Sequence, residues 1–199
     1  MKVEVMPCGP LQTNTIIITE DDTILVIDPA CKDVASLGLI KRRLYVILTH
    51  GHWDHMLGLP FMTVSEVYMH RKDVPMLKDP VLNGSLRGLY APFTVDIQPL
   101  PLCEGLHTLG KISFIVYHTP GHTPGSVSLY FPDDEIAVVG DFLFSDTIGR
   151  TDLPGGSSRQ MRESIRRFMS LVDGDTLVYP GHGQPFYLKH HPFFRRGRL

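Results

Sequence analysis

Cysteine is scarce: Cys8, Cys31 and Cys103 are the only three in 199 residues. They are odd in number and widely spaced, with no Cys-x-x-Cys pair. Neither a disulfide framework nor a thiolate metal site is expected, and a reducing cytoplasm is the expected compartment. No apolar run approaches the ~20 residues that a membrane span needs. The first six residues alternate apolar and charged, which reads as a strand and leaves no apolar signal-peptide region. Charge of one sign is missing too. The net charge is −2 with histidines neutral, so there is no basic field for nucleic acid and no acidic tail. Arg195, Arg196 and Arg198 form a short terminal cluster that reads as a solvated tail. Neither nucleic acid nor membrane is therefore an expected partner, and nothing points to a particular oligomeric state. What is present is 43% apolar residues, enough for a globular core in one domain spanning 1–199.

Histidine is where the sequence is rich. Thr49-His50-Gly51-His52-Trp53-Asp54-His55 puts three imidazoles and a carboxylate within six residues. The run Tyr45-Val46-Ile47-Leu48 before it reads as a buried strand, so the motif begins where a strand ends. In extended backbone, residues two apart point the same way, so His50 and His52 can close on one cation. Asp54 and His55 point apart and are placed to reach a second cation, at the ~3.5–4 Å typical of two-metal sites. Imidazole and carboxylate donors suit zinc first, with iron or manganese as alternatives.

Further strands are expected at 2–6, 15–19, 23–27, 66–69, 111–117, 127–131, 136–139 and 176–179, from alternating or β-branched apolar runs. Asp28 closes one of them and can serve either as a turn residue or as a support for the metal loop. Short helices are expected at 34–40 and 71–77, with a helical turn near 82–90 inside a Pro- and Gly-rich covering stretch from 78 to 102. A clear helix follows Ser157, which forms a capping-box pattern with Gln160. Met161, Ile165, Phe168, Met169 and Val172 fall on one face of that helix, a core stripe rather than a cofactor box. Three more strand ends each deliver a donor beside glycine: His122 in Pro-Gly-His-Thr-Pro-Gly, Asp141 in Gly-Asp, and His182 in Pro-Gly-His-Gly. Each alone reads equally as a turn or cap residue; together they extend the motif at 50–55. His70, His107, His118, His190 and His191 lack that context.

These motifs, spread over residues 49–183, resemble the metallo-β-lactamase superfamily. The resemblance implies an α/β fold: an αββα sandwich of two mixed β-sheets with outer helices and metals at one edge. It implies that His50, His52 and His122 hold a first divalent ion and Asp54, His55 and His182 a second, with Asp141 bridging. The bridging Asp141 separates this chain from antibiotic-hydrolysing members, which lack it. The stretches 140–144 and 148–156 are similar to small glyoxalase II-like hydrolases, whose long forms carry a further C-terminal helical domain; the 17 residues after His182 (183–199) are too few for one.

The implied activity is metal-dependent hydrolysis of a small acyl substrate, a thioester such as S-lactoylglutathione. Asp54 would orient or deprotonate the attacking water, and Arg150 would contact an anionic group of the substrate. One rival is a mononuclear iron persulfide dioxygenase, similar around Gly149-Arg150-Thr151-Asp152, with iron on His50, His122 and Asp141. The other is a metal-binding module without catalysis.

Overall fold

The segments Thr23–Ile27 and Ile136–Gly140 are buried at every position, as strands covered on both sides must be. A computed structural model describes residues 1–39, 43–64, 66–87 and 91–195. In the first sheet, β1 (Lys2–Cys8), β2 (Thr13–Glu20), β3 (Thr23–Ile27), β4 (Arg43–Leu48), β5 (Val67–Met69) and β6 (Leu100–Pro101) lie in sequence order. β1, β2 and β3 pair antiparallel; β3 to β6 run parallel. The second sheet is ordered β12 (Phe186–Tyr187), β11 (Leu177–Pro180), β10 (Ile136–Gly140), β9 (Val127–Phe131), β8 (Ile112–His118), β7 (Gly105–Leu109). Its strands are antiparallel except for the β10–β11 pair. Both sheets are mixed, as the αββα sandwich requires.

Side-chain alternation builds the layers. Ile16, Ile18, Leu25, Ile27 and Ile47 of the first sheet meet Phe114, Val116, Leu129, Phe131 and Val138 of the second in a buried core. The opposite faces of β3 and β4 (Ile24, Val26, Val46, Leu48) pack under Trp53, Met56 and Leu59. The outer face of the second sheet (Ala137, Val139, Val178) carries α1 (Ser158–Leu171) through Met161, Ile165 and Phe168. Each such fully buried side chain contributes roughly 1.5–3 kcal/mol. Among the described residues no helix is long and apolar enough to cross a membrane.

Several expectations are corrected. The segments read as helices at 34–40 and 71–77 are 3-10 turns, Lys32–Leu39 and Val74–Leu77. Pro75 and Gly38 deny them the propensity for a longer α-helix. Ile40, at the end of the first, lies outside the described residues, as does Tyr90 of the turn near 82–90. There a 3-10 turn spans Ser85–Arg87. Arg196 and Arg198 are likewise outside; Arg195 ends α2 (Pro192–Arg195). β7 was missed because it is an edge strand with Leu106 three-quarters exposed, so the apolar pattern is inverted. The cysteines are the sharpest correction: Cys8 and Cys31 form a disulfide, their Cα atoms 5.8 Å apart, and only Cys103 is free. The hairpin β1–β2 and the pairing of β2 with β3 bring the ends of β1 and β3 side by side, which linear spacing does not show. The cysteine argument for a reducing compartment lapses with it.

Candidate metal centre

Four strand ends meet at one edge of the sandwich. The 49–55 loop leaves β4 of the first sheet; His122, Asp141 and His182 follow β8, β10 and β11 of the second. Backbone bonds stitch the two ends together. Val127 donates to the Thr49 carbonyl at 2.9 Å, and Gly181 to the Gly140 carbonyl at 2.8 Å. Asn14, at the start of β2, donates its backbone N–H to Gly181 (2.7 Å) and its side-chain amide to the Pro180 and Gly183 carbonyls (3.0 and 2.8 Å).

In four of the five rings, all but His52, the outer nitrogen is fixed by an acceptor, and this sets the tautomer. His55 donates from Nδ1 to the Asp28 carboxylate at 2.9 Å. His122 donates from Nδ1 to the Arg150 carbonyl at 2.8 Å, and His182 from Nδ1 to the Leu11 carbonyl at 3.1 Å. The Thr49 hydroxyl donates to Asp28 at 2.6 Å, so its oxygen accepts from His50 Nδ1 at 3.0 Å. The Nε2 lone pairs of all four rings therefore face inward. His52 turns Nδ1 to within 2.8 Å of His122 Nε2.

These lone pairs face carboxylates. His55 Nε2 lies 3.5 Å from Asp54 and 3.4 Å from Asp141; His182 Nε2 lies 3.3 and 3.6 Å from the same two; His122 Nε2 lies 3.5 Å from Asp141. Among the described residues, His50 Nε2, His52 Nε2, His55 Nε2 and Asp141 Oδ1 are buried without a hydrogen-bond partner. Lone pairs crowded on lone pairs in a buried site require a positive charge between them.

Electrostatics say the same. Burial pushes His50 well below the ordinary histidine value and His52 down to about 3, each helped by the neighbouring rings. Both are neutral, as a metal ligand must be. Burial alone would suppress charge on His55 too, yet Asp54, Asp28 and Asp141 raise it well above the usual range. His182 is raised despite burial, chiefly by its contact with Asp54. Burial opposes the ionised forms of Asp54 and Asp141, but His55 and its neighbours hold both below the usual carboxylate range.

The donors sort into cradles. His50, His52 and His122 form one; Asp54, His55 and His182 another; in each the donor atoms lie within 4.8 Å of one another. Asp28 with His50 and His55 meets the same spacing. Asp28, however, already accepts from Thr49 N, Thr49 Oγ1 and His55 Nδ1, so it orients ligands rather than acting as one. Asp141 stands between the two cradles. Oxygen and imidazole donors with orphaned, buried inward atoms fit divalent metal.

A sequence profile described as the Metallo-beta-lactamase superfamily matches residues 8–182. The chain belongs to that superfamily. It is a metallo-hydrolase of the superfamily by that match and by its curated relatives. One relative, the probable metallo-hydrolase YqgX of Bacillus subtilis, is 36% identical over 92% of this chain and 90% of its own length. The hydroxyacylglutathione hydrolase GloC of Haemophilus influenzae is 29% identical over 92% and 91%. Among solved structures, the BLEG-1 B3 metallo-beta-lactamase superposes with TM-score 0.87 at 33% identity, over 97% of this chain and 99% of that one. TTHA1623 in a di-iron-bound form gives 0.82 at 32%, over 96% and 100%.

All seven donors expected from the sequence of this superfamily member converge. Arg150 reaches the centre through its backbone carbonyl; its exposed guanidinium forks onto Asp152 at 2.8 and 2.7 Å. Four supports went unread. Thr13 donates to Asp54 at 2.7 Å. Thr49 and Asn14 act as described above, and Asp73 is a buried carboxylate behind the 50–52 loop. Polar residues opening an otherwise apolar strand were a usable sign for Thr13 and Asn14. Asp73, between a lysine and a valine, reads as an ordinary turn residue.

Proposed function

We propose that this metallo-hydrolase is dinuclear and cleaves small acyl thioesters of the S-lactoylglutathione type. The observation that carries the dinuclear reading is Asp141, whose two oxygens face His55 on one side and His122 and His182 on the other. His50, His52 and His122 would hold one ion and Asp54, His55 and His182 the other, with Asp141 within reach of both; zinc is first choice, and the di-iron form of TTHA1623 supports iron as an alternative. Ions bound there would supply Lewis acidity, bringing the pKa of a bound water towards ~7 and polarising a carbonyl. The chain's residues supply orientation. Thr13 pins the Asp54 carboxylate, and Asp54, kept ionised beside His55 and His182, aligns the attacking water. Arg150, on the loop that holds His122, is assigned to an anionic group of the substrate, releasing Asp152 to do so.

The thioester class is supported by the likeness to GloC and by the 140–156 motif. The likeness to BLEG-1 favours a second reading, β-lactam hydrolysis by the same arrangement. The experiment is a metal count with a substrate panel: S-lactoylglutathione, simpler thioesters, a penicillin, a carbapenem and glutathione persulfide with oxygen-uptake detection. Close to two ions per chain, thioester turnover, and loss of at least ~10²-fold in kcat/KM for Asp141→Ala are expected. Turnover of β-lactams alone would favour the second reading. One iron with oxygen uptake would overturn both.

A further inference from the structure

Asp73 is completely buried, yet it belongs to neither cradle. It sits in the turn after β5, its own N–H bonded to the His70 carbonyl at 3.0 Å and its carbonyl accepting from Met76 at 2.9 Å. Its carboxylate faces the metal loops and accepts three donors. Oδ2 takes the Gly51 N–H at 3.1 Å and the Thr123 hydroxyl at 2.5 Å; Oδ1 takes the Gly125 N–H at 2.6 Å.

Those donors are not scattered. Gly51 lies between His50 and His52, and Thr123 immediately follows His122. One carboxylate thus clamps the two loops that carry the three-histidine cradle. Its side-chain hydrogen bonds reach the 49–55 loop only at Gly51, ahead of Asp54 and His55, and none goes to the His182 loop. The glycines let the clamp close: a Cβ on Gly51 would meet Met76 at 2.6 Å, and one on Gly125 would meet the Asp73 carboxylate at 2.6 Å. Burial raises this carboxyl to about 6 in spite of its three donors, so the charge is held at some expense to the fold.

We propose that Asp73 is a positioning residue for the first metal, setting the separation of the His50–His52 loop from His122 while leaving the second cradle untouched. Asparagine cannot replace it, because both carboxylate oxygens accept backbone N–H groups and an amide NH₂ would face one of them.

This rests on the dinuclear reading, and the test separates the two. Metal-free full-length protein is titrated with Zn²⁺ against a chromophoric chelator. Wild type binding fewer than two tight ions sinks the dinuclear reading itself. With two ions bound by wild type, Asp73→Asn should weaken one by roughly 10–100-fold, the usual effect of removing a partner behind a ligand, and the other by less than about threefold. His182→Ala identifies which: with the second cradle disabled, the remaining ion reports the three histidines, and Asp73→Asn added to it should weaken that ion by the same factor. Thr123→Val, which removes one donor of three, should weaken it by a smaller factor. Equal loss at both ions in a folded Asp73→Asn protein, or no loss at either, overturns the inference. If Asp73→Asn does not fold, unchanged affinity in Thr123→Val overturns it instead.

Discussion

A histidine ring presents a lone pair to a cation only when its other nitrogen is committed elsewhere, and here the commitments are specific. Asp28 takes Nδ1–H of His55, while Asp54 and Asp141 crowd its Nε2. In metal-free protein three carboxylates demand a cation at that point, and a proton on His55 is the one available. Raised well above its ordinary value, His55 holds its proton more tightly than a free imidazole, and His182 is shifted in the same direction. Metal must displace that charge. Binding near pH 7 is therefore expected to release about one proton or more, and affinity should keep rising with pH past the ordinary histidine range. Calorimetry in buffers of different ionisation enthalpy measures this directly; a buffer-independent heat would contradict it. At this scale the sequence was informative about ligands and nearly silent about their supports. A ligand motif is contiguous and chemically unusual. Asp28, Thr13, Asn14 and Asp73 are common residues from three separate stretches of the chain, and only the fold brings them to the site. Asp28 alone was half legible, as a carboxylate at a strand end; its φ of +53° belongs to the sharp turn that aims it at Thr49 and His55.

Among the elements, α1 and the His122 loop are fitted to one another. Gly121, at φ +148°, accepts the Ser157 N–H through its carbonyl at 2.8 Å, and Ser157 caps the helix by accepting from Gln160 at 3.3 Å. A Cβ on Gly121 would stand 2.5 Å from Met161 Cα, which is helix backbone and has little room to give. Gly121→Ala should therefore cost about 1–3 kcal/mol, as overpacking does, and weaken metal binding by displacing His122. Urea melts and the same zinc titration check it. Gly183→Ala is the control: it also has a positive φ, +79°, but nothing lies within 4 Å of a Cβ there, so the change should be milder. Strands such as Thr23–Ile27 and the donor-carrying Ile136–Gly140 were legible because burial on both faces gives unbroken apolar runs. The two-residue strands β6 and β12 and the edge strand β7 were not, since their pairing rather than their residues makes them strands. The 3-10 turns were misread as helices because short apolar groups near proline look alike in either form.

Over the whole molecule, the donors divide by sheet: His50, His52, Asp54 and His55 hang from the first, His122, Asp141 and His182 from the second. Each cradle draws from both, so an ion in either joins the two sheets at an edge where the apolar core gives way to polar side chains. The core holds the sheets together without metal, but the edge without metal keeps ionised carboxylates and inward lone pairs buried. Metal binds this folded edge and has no comparable site in the unfolded chain, so it must stabilise the fold by mass action. At a free concentration 100 times Kd that is about 2.7 kcal/mol per site. For a chain of 199 residues each kcal/mol moves Tm by roughly 2–4 °C, so chelation should lower Tm by roughly 5–10 °C per site vacated. Tm should climb with the logarithm of added zinc in wild type, and less steeply in His182→Ala, where one inter-sheet link is broken. A Tm indifferent to both chelator and zinc would mean that the two sheets do not meet through metal at all.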